Sequence, residues 1–159
     1  MWVYCDTSAM AKRYVREPGR AALMKALARR RVVSSVLMPV ELHSAFSRRV
    51  REGALATIAL PRLFQRVAHD RQYWTLIETT PEVLAEAEAL LETCPLRTLD
   101  AVHVASARVF QKRMGVPVTF VSADVRQLAA ASREGLTPLA LEPENPTNPR
   151  TRRTRPTAY

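Results

Sequence analysis

The fold is decided by the stretch Val118-Thr119-Phe120-Val121-Ser122-Ala123-Asp124, in which an apolar strand ends at an acid that can begin a helix. β-Branched and aromatic residues favour a strand, and aspartate is among the preferred N-cap residues of helices. The segment Trp2-Val3-Tyr4-Cys5-Asp6 has the same order. Strands that alternate with helices form a parallel sheet with helices on both faces. The sequence therefore predicts an α/β protein, a three-layer α/β/α sandwich with a central, mainly parallel sheet.

The hydrophobic pattern elsewhere repeats this alternation. Apolar runs that predict strands lie at residues 1–5, 32–33, 73–77, 118–121 and 136–139. Amphipathic stretches that predict helices lie at residues 7–16, 20–30, 37–52, 55–72, 81–92, 98–112 and 124–132. Ser34 or Ser35 is the expected cap of the helix at 37–52, and Thr80 is the expected cap of the helix that begins at Pro81.

The chain of 159 residues fits one domain, which we place at residues 1–141. From Glu142 onward prolines and arginines replace the apolar periodicity, so we predict a disordered basic tail at residues 142–159. Such a tail could add nonspecific contacts to phosphates, or it could serve only as a solubilising segment.

The formal net charge of +9 indicates a polyanionic partner, with nucleic acid favoured and an acidic protein as the alternative. Solvated helix faces and helix ends are the simpler explanation of the same charges. The cations recur in clusters at Lys12-Arg13, Arg29-Arg30-Arg31, Arg48-Arg49-Arg51 and Lys112-Arg113.

The cysteines and the amino-terminal region indicate a protein of the reducing cytoplasm. Cys5 and Cys94 match neither a disulfide framework nor the spacing of a metal site, and Cys5 reads as a small buried hydrophobe. Asp6 and the Lys12-Arg13 pair interrupt the first apolar stretch, so we expect neither a signal peptide nor a membrane span.

Four acids share one local setting, because each is expected at or near a helix start: Asp6, Glu41, Asp100 and Asp124. The carboxyl edge of a parallel sheet would gather such positions, and clustered carboxylates repel one another unless a cation joins them. Carboxylates suit a hard cation such as Mg²⁺ or Mn²⁺, which supports phosphodiester hydrolysis. Taken singly, Asp6 or Asp124 could be nothing more than a helix cap.

Four stretches in this order resemble the motifs of PIN-domain nucleases, in particular the VapC-type toxins of type II toxin–antitoxin systems. The stretches are Asp6-Thr7-Ser8-Ala9 with Lys12-Arg13-Tyr14-Val15 and Glu17-Pro18-Gly19, Ser34-Ser35-Val36-Leu37 leading to Glu41 and then to Ala45 and Arg48-Arg49, Leu99-Asp100-Ala101-Val102-His103-Val104-Ala105, and Phe120-Val121-Ser122-Ala123-Asp124 with Val125-Arg126-Gln127-Leu128. The resemblance covers residues 2 to about 140 and leaves the tail outside.

The resemblance implies a Mg²⁺-dependent endoribonuclease, with Mn²⁺ as a plausible substitute, whose site is made of the four acids. It makes Asp6 and Asp100 the expected direct metal ligands. Glu41 and Asp124 would act directly or through water. All four acids are present, so the sequence gives no sign of an inactive site.

Three further residues are expected to support this site. Ser122 would orient Asp124 or a metal-bound water, and Thr7 could do the same at Asp6, although helix capping is its simpler role. Lys12 could approach a phosphate or pair with a carboxylate of the site. For His103, one helical turn after Asp100, a packing role is favoured over contact with the site.

The resemblance also implies partners: an RNA substrate, a cognate antitoxin and a second copy of the chain in a homodimer. The alternative is a non-catalytic RNA- or protein-binding module with the same fold. A nucleotide-binding α/β domain is disfavoured, because the sequence has neither Gly-x-Gly-x-x-Gly nor a Gly-Lys-Ser/Thr loop.

Overall fold

A computed structural model describes residues 1–141, where strands and helices alternate along the chain. The strands are β1 Trp2–Cys5, β2 Arg31–Ser35, β3 Thr75–Ile77, β4 Val118–Ser122 and β5 Thr137–Ala140. The helices are α1 Thr7–Tyr14, α2 Arg20–Leu27, α3 Met38–Arg51, α4 Leu60–Asp70, α5 Pro81–Thr93, α6 Thr98–Met114 and α7 Val125–Arg133. None of the helices within residues 1–141 combines the length and the apolar character that a bilayer span requires. The predicted tail at 142–159 lies outside the described residues.

The strands form one sheet in the order β3-β2-β1-β4-β5, and every neighbouring pair is parallel. β1 lies at the centre, with Trp2 opposite Arg31 of β2 on one side and opposite Val118 of β4 on the other. All carboxyl ends therefore meet at one edge. The strand order reverses between β1 and β4, and a crevice at such a reversal is the usual ligand site of open α/β sheets.

Helices cover both faces of the sheet, which confirms the three-layer prediction. Tyr4 and Phe120 point to one face, where their rings stack at 5.3 Å and join a core with α5, α6 and α7. Val3 and Val121 point to the other face and join a core with α1, α2, α3 and α4. Because neighbouring residues of a strand face opposite sides, a strand buried on both faces is apolar throughout. Cys5, fully buried in the second core, behaves as the small hydrophobe that the sequence predicts.

Ser34 and Ser35 are the main correction to the predicted elements, since both belong to β2 and neither is the N-cap of α3. The hydroxyl of Ser34 donates to the carbonyl oxygen of Cys5 at 2.7 Å. The hydroxyl of Ser35 accepts from the backbone N–H of Leu37 at 3.2 Å. Hydrogen-bonded serines can lie in a buried strand, because their polar groups are satisfied there.

Several predicted elements are too long at their ends. The helix expected at 20–30 ends at Leu27, because Arg29 takes a left-handed conformation with φ of 57° as the chain turns into β2. The helix expected at 55–72 is regular only over α4, with short 3₁₀ turns at Thr57–Ala59 and Arg71–Tyr73 on either side. β3 correspondingly begins at Thr75.

Candidate active site

A cavity of about 630 Å³ opens at the carboxyl edge of the sheet, and all four sequence-predicted acids line it. Asp6 follows β1 and caps α1, and Asp124 follows β4 and caps α7. Glu41 and Asp100 lie in the first turns of α3 and α6. Three strand–helix junctions and the start of α6 therefore bring together residues that are far apart in the sequence.

Asp6 is the most deeply buried of the four acids, with 1% of its surface exposed. Its Oδ2 accepts hydrogen bonds from the hydroxyls of Ser8 at 2.7 Å and Ser122 at 3.0 Å. Its Oδ1 accepts from the backbone N–H of Ala9 at 2.8 Å, which is the helix cap. Burial raises the pKa of Asp6, and these donors together with the charge of His103 oppose that rise only in part.

Glu41 lies across the cavity and is held by two side chains through one oxygen. Its Oε2 accepts from the hydroxyl of Thr7 at 2.7 Å and from Nε2 of His103, also at 2.7 Å. Burial alone would raise the pKa of Glu41, but the hydrogen bond and charge of His103, with the hydroxyl of Thr7, hold it below its ordinary value. Thr7 therefore supports Glu41, whereas the sequence predicts either helix capping or support of Asp6.

His103 is itself fixed by a buried tyrosine. The hydroxyl of Tyr4 lies 2.9 Å from Nδ1 of His103, and both side chains are buried. A carboxylate can only accept, so Nε2 donates to Glu41, and Nδ1 shares a hydrogen bond with the hydroxyl of Tyr4. The imidazole that the sequence assigned to packing thus joins β1 to the carboxylate of Glu41.

Asp100 is joined to Asp6 through an amide. The Nε2 of Gln127 donates to Oδ1 of Asp100 at 2.9 Å and to Oδ2 of Asp6 at 3.1 Å. Oδ2 of Asp100 also accepts from the backbone N–H of Arg97 at 3.3 Å. This bond is part of the capping box at the N-terminus of α6.

Asp124 is more exposed than Asp6 and pairs with a cation of its own, Arg126. Arg126 donates to Oδ2 of Asp124 at 2.7 Å, and this hydrogen-bonded guanidinium lowers the pKa of Asp124. The hydroxyl of Ser122 accepts from the backbone N–H of Asp124 at 2.9 Å while it donates to Asp6. Ser122 therefore fixes the position of Asp124 through the backbone and that of Asp6 through the side chain.

One wall of the cavity is basic. Lys12, Arg48, Arg49 and Arg97 line it together with Glu17. Glu17 pairs with Arg49 at 2.7 Å and lies 3.7 Å from Nζ of Lys12. The carboxylate that Lys12 pairs with is thus a fifth acid of the cavity, outside the set of four.

Sequence reasoning missed Gln127, Glu17 and Arg49 as residues of this cavity. For Gln127 a signal existed, because it lies three positions after Asp124 and so shares a face of α7 with it. Glu17 and Arg49 belong to the stretches that carry the resemblance, but their spacing does not predict a place in the cavity, since one follows α1 and the other lies near the end of α3.

The donor set suits a hard cation that keeps much of its water. The four acids offer only oxygen atoms, and the imidazole of His103 is engaged with Glu41. Across residues 1–141, no three carboxylate, imidazole or thiolate side chains lie close enough together to enclose an ion by themselves. Mg²⁺ is typically held by one or two carboxylates, with waters and phosphate oxygens completing its shell. Asp6 and Asp100, bonded to the same amide nitrogen, are the pair that fits this pattern.

Comparison with known proteins gives one family and several similar folds. The sequence profile of the PIN domain matches residues 3–132. None of the curated proteins matches the sequence. Among solved structures, a toxin–antitoxin complex from Klebsiella pneumoniae is similar with a TM-score of 0.63 and 10% identity, over 89% of this chain and 98% of that one.

Two further structures are similar to the same degree. VapC20 of Mycobacterium tuberculosis, a toxin that cleaves the sarcin–ricin loop, has a TM-score of 0.61 and 17% identity, over 80% of this chain and 94% of that one. VapBC-1 from nontypeable Haemophilus influenzae has a TM-score of 0.60 and 11% identity, over 89% of this chain and 98% of that one. At these identities the likeness shows a shared fold.

Proposed function

The chain belongs to the PIN domain family, and on that premise we propose that it is a Mg²⁺-dependent endoribonuclease acting as the toxin of a toxin–antitoxin pair. One observation carries the proposal: four carboxylates and a basic wall line the same cavity, at the point where the strand order reverses. A binding site for RNA alone gains nothing from buried negative charge, because phosphates are repelled by it. Carboxylates become useful there when a divalent cation lies between them and the phosphate.

Asp6 and Asp100 would hold the cation, with Mn²⁺ as a plausible substitute for Mg²⁺. When bound, such an ion lowers the pKa of a coordinated water and neutralises charge on the attacked phosphate. Ser8 and Ser122 donate to Oδ2 of Asp6 and so fix the direction of that carboxylate. Fixed ligands matter because mutation of a residue that orients a metal ligand typically lowers metal affinity or activity by about 10- to 100-fold.

Glu41 is the acid best suited to handle a proton. Its lowered pKa keeps it ionised at neutral pH. His103 and Thr7 both bond to Oε2, which leaves Oε1 as the oxygen free to accept a proton from a water in the cavity. Asp124 would act through water at the outer rim of the site, with Arg126 keeping it ionised.

The basic wall would bind the RNA backbone. Lys12, Arg48, Arg49 and Arg97 lie on the same cavity as the acids, and the chain carries a net charge of +9. Cations in this position attract phosphates irrespective of base sequence. Glu17 pairs with Lys12 and Arg49 and so holds both side chains in place. It also partly neutralises their positive charge while no phosphate is bound.

The proposed partner is an antitoxin segment, and a groove between α3 and α4 supports it. Pro39, His43, Phe64 and Val67 line a groove of about 330 Å³, in which His43 stacks on Phe64 at 3.9 Å. Val40 lies beside it in sequence and is 71% exposed. An exposed apolar groove is what an amphipathic segment needs for docking. The proposal also includes a homodimer that works in the cytoplasm.

The deciding experiment is RNA cleavage by the purified protein in Mg²⁺, Mn²⁺ or EDTA, beside the variants Asp6→Asn and Glu88→Gln. Glu88 is exposed on α5 and loses the same charge away from the cavity. We expect cleavage that needs the metal, disappears in Asp6→Asn and persists in Glu88→Gln. If the wild type binds RNA without cutting it in any metal, the non-catalytic binding module replaces the nuclease.

A further inference from the structure

The side chain of Gln127 occupies the space between the two acids that would hold the metal. Both of its hydrogen bonds leave from the same nitrogen, to Asp100 at 2.9 Å and to Asp6 at 3.1 Å. Only 3% of the residue is exposed. The amide thus cross-links the carboxylate that follows β1 and the carboxylate in the first turn of α6.

The other end of this amide is unsatisfied. Within the described residues, Oε1 of Gln127 is buried and has no hydrogen-bond partner. Ionised carboxylates only accept hydrogen bonds, so the nitrogen must be the end that faces them. A buried acceptor without a partner is costly, and the two bonds to charged groups are what offset that cost. The position of Gln127 is therefore set by the carboxylates.

Within residues 1–141, neither Asp6 nor Asp100 forms an ion pair with a lysine, arginine or histidine side chain. The nearby Lys12 is close to Glu17, and Asp100 receives the backbone N–H of Arg97. Two carboxylates in a buried setting need positive charge between them, and the amide hydrogens supply only a partial charge.

We propose that Gln127 is a positioning residue that takes the place of the cation in the metal-free protein and releases the carboxylates when a divalent ion binds. The inference rests on the proposed function, because it assumes that Asp6 and Asp100 hold the ion. Its consequence is thermodynamic: a contact that stabilises the metal-free state more than the loaded state weakens metal binding. Gln127 thus keeps the site assembled without metal at the expense of affinity.

The test is Gln127→Met, which keeps the length of the side chain and removes its donors. Melting temperature is measured in EDTA and in saturating Mn²⁺, and Mn²⁺ binding is titrated directly. We expect a lower melting temperature in EDTA, a larger increase on adding Mn²⁺ than in the wild type, and a Kd for Mn²⁺ lower by about tenfold, the scale of one hydrogen bond to a charged group.

Gln111→Met is the matched control. The amide of Gln111 on α6 also makes two hydrogen bonds, donating to Gly135 at 3.0 Å and accepting from Val118 at 2.9 Å, away from the cavity. Its loss should lower the melting temperature equally in EDTA and in Mn²⁺, with an unchanged Kd.

The possible outcomes separate this inference from the proposed function. A wild type that does not bind Mn²⁺ overturns the metal site itself. A wild type that binds Mn²⁺ while Gln127→Met behaves like Gln111→Met, or binds Mn²⁺ more weakly, overturns only the role of Gln127. If Gln127→Met does not fold in either condition, Gln127→Glu is titrated instead. A third carboxylate without amide donors should then need Mn²⁺ for stability, and a melting temperature indifferent to Mn²⁺ would refute the inference.

Discussion

The cavity has two halves, one with Asp6 and Asp100 and one with Glu41 and His103, and the carboxylate pKa shifts in opposite directions in the two. Asp6 receives hydrogen bonds from hydroxyls, an amide and a backbone N–H, yet its pKa is raised. Glu41 has fewer bonds, from Thr7 and His103, yet its pKa is lowered. Both carboxylates line the same cavity, but Asp6 is 1% exposed and the side chain of Glu41 is 20% exposed, so the contrast comes from the deeper burial of Asp6 and from the direct bond of His103 to Glu41.

The difference teaches that neutral donors orient a carboxylate without replacing the water it loses on burial. An imidazole that can carry charge does both, because its attraction to the carboxylate adds to the hydrogen bond. Under the proposed function, we therefore expect the Asp6–Asp100 half to need a cation and the Glu41–His103 half to be stable without one. Four predictions test this comparison, in order of decreasing expected effect.

The largest effect is expected from Asp100→Asn, which takes one charge from the half that needs the cation. Cleavage should fall by at least about 10²-fold, since a direct ligand matters at least as much as the residues that orient it. Single-turnover cleavage of a model RNA at saturating Mg²⁺ measures the loss. The comparison would fail if Glu41→Gln cost more than Asp100→Asn under the same conditions.

The second effect is expected from His103→Leu, which removes the imidazole that bonds to Glu41 in the other half. Cleavage should fall by about 10- to 100-fold, because Glu41 loses its orientation. His103→Gln retains a donor toward Glu41 and should recover part of the rate. Tyr4→Phe removes only the hydroxyl that fixes the ring and should cost less than His103→Leu. Equal losses in His103→Gln and His103→Leu would contradict this role.

The third effect concerns stability against pH in EDTA. The raised pKa of Asp6 makes its contribution complete below the ordinary value of about 3.9 and lost as pH rises through the higher folded value. Relative to Asp6→Asn, the wild type should therefore lose stability as pH increases. The lowered pKa of Glu41 has the opposite sign, so relative to Glu41→Gln the wild type should lose stability as pH falls below about 4.3.

Thermal unfolding from pH 3 to 8 measures both differences. They should amount to a few degrees, since about 1 kcal/mol shifts the melting temperature of a domain of this size by roughly 2–4 °C. Mg²⁺ should flatten the Asp6 difference and leave the Glu41 difference in place. If the melting-temperature differences for Asp6→Asn and Glu41→Gln change with pH in the same direction, the distinction between the two halves is wrong.

The smallest effect is expected from Arg126→Ala at the rim. The melting temperature should stay within about 1 °C, because exposed ion pairs contribute little. The acidic limb of the pH–rate profile should move to higher pH, since Arg126 lowers the pKa of Asp124. Arg62→Ala, which removes an exposed cation on α4, should leave that limb unchanged. If the acidic limb of the pH–rate profile does not move in Arg126→Ala, Asp124 takes no part in the reaction.

Most of the fold follows from local patterns, and the contacts inside the cavity do not. The strand, acid and helix order at residues 2–8 and 118–128 fixes the parallel sheet and therefore the edge where the acids gather. By contrast, Glu41 meets His103 across 62 positions of sequence, and Gln127 meets Asp6 across 121. Such pairs depend on which rotamers the packed helices permit, and no periodicity encodes that choice. The sequence predicts a helix cap at Ser34 for a related reason, because its partner, the carbonyl oxygen of Cys5, comes near only when β1 and β2 are paired, whereas Ser35 bonds locally to Leu37.

The central position of β1 also determines when the sheet can assemble during synthesis of the chain. Its partner β4 pairs Val118 with Trp2, so the middle of the sheet cannot close until most of the chain has been made. At about 5–20 residues per second, Asp6 precedes Gln127 out of the ribosome by roughly 6–24 seconds. During that interval β1 has an unpaired edge and the carboxylates have no common cavity. A nascent chain is therefore exposed to misassembly during that interval, and the proposed nuclease site is not yet assembled.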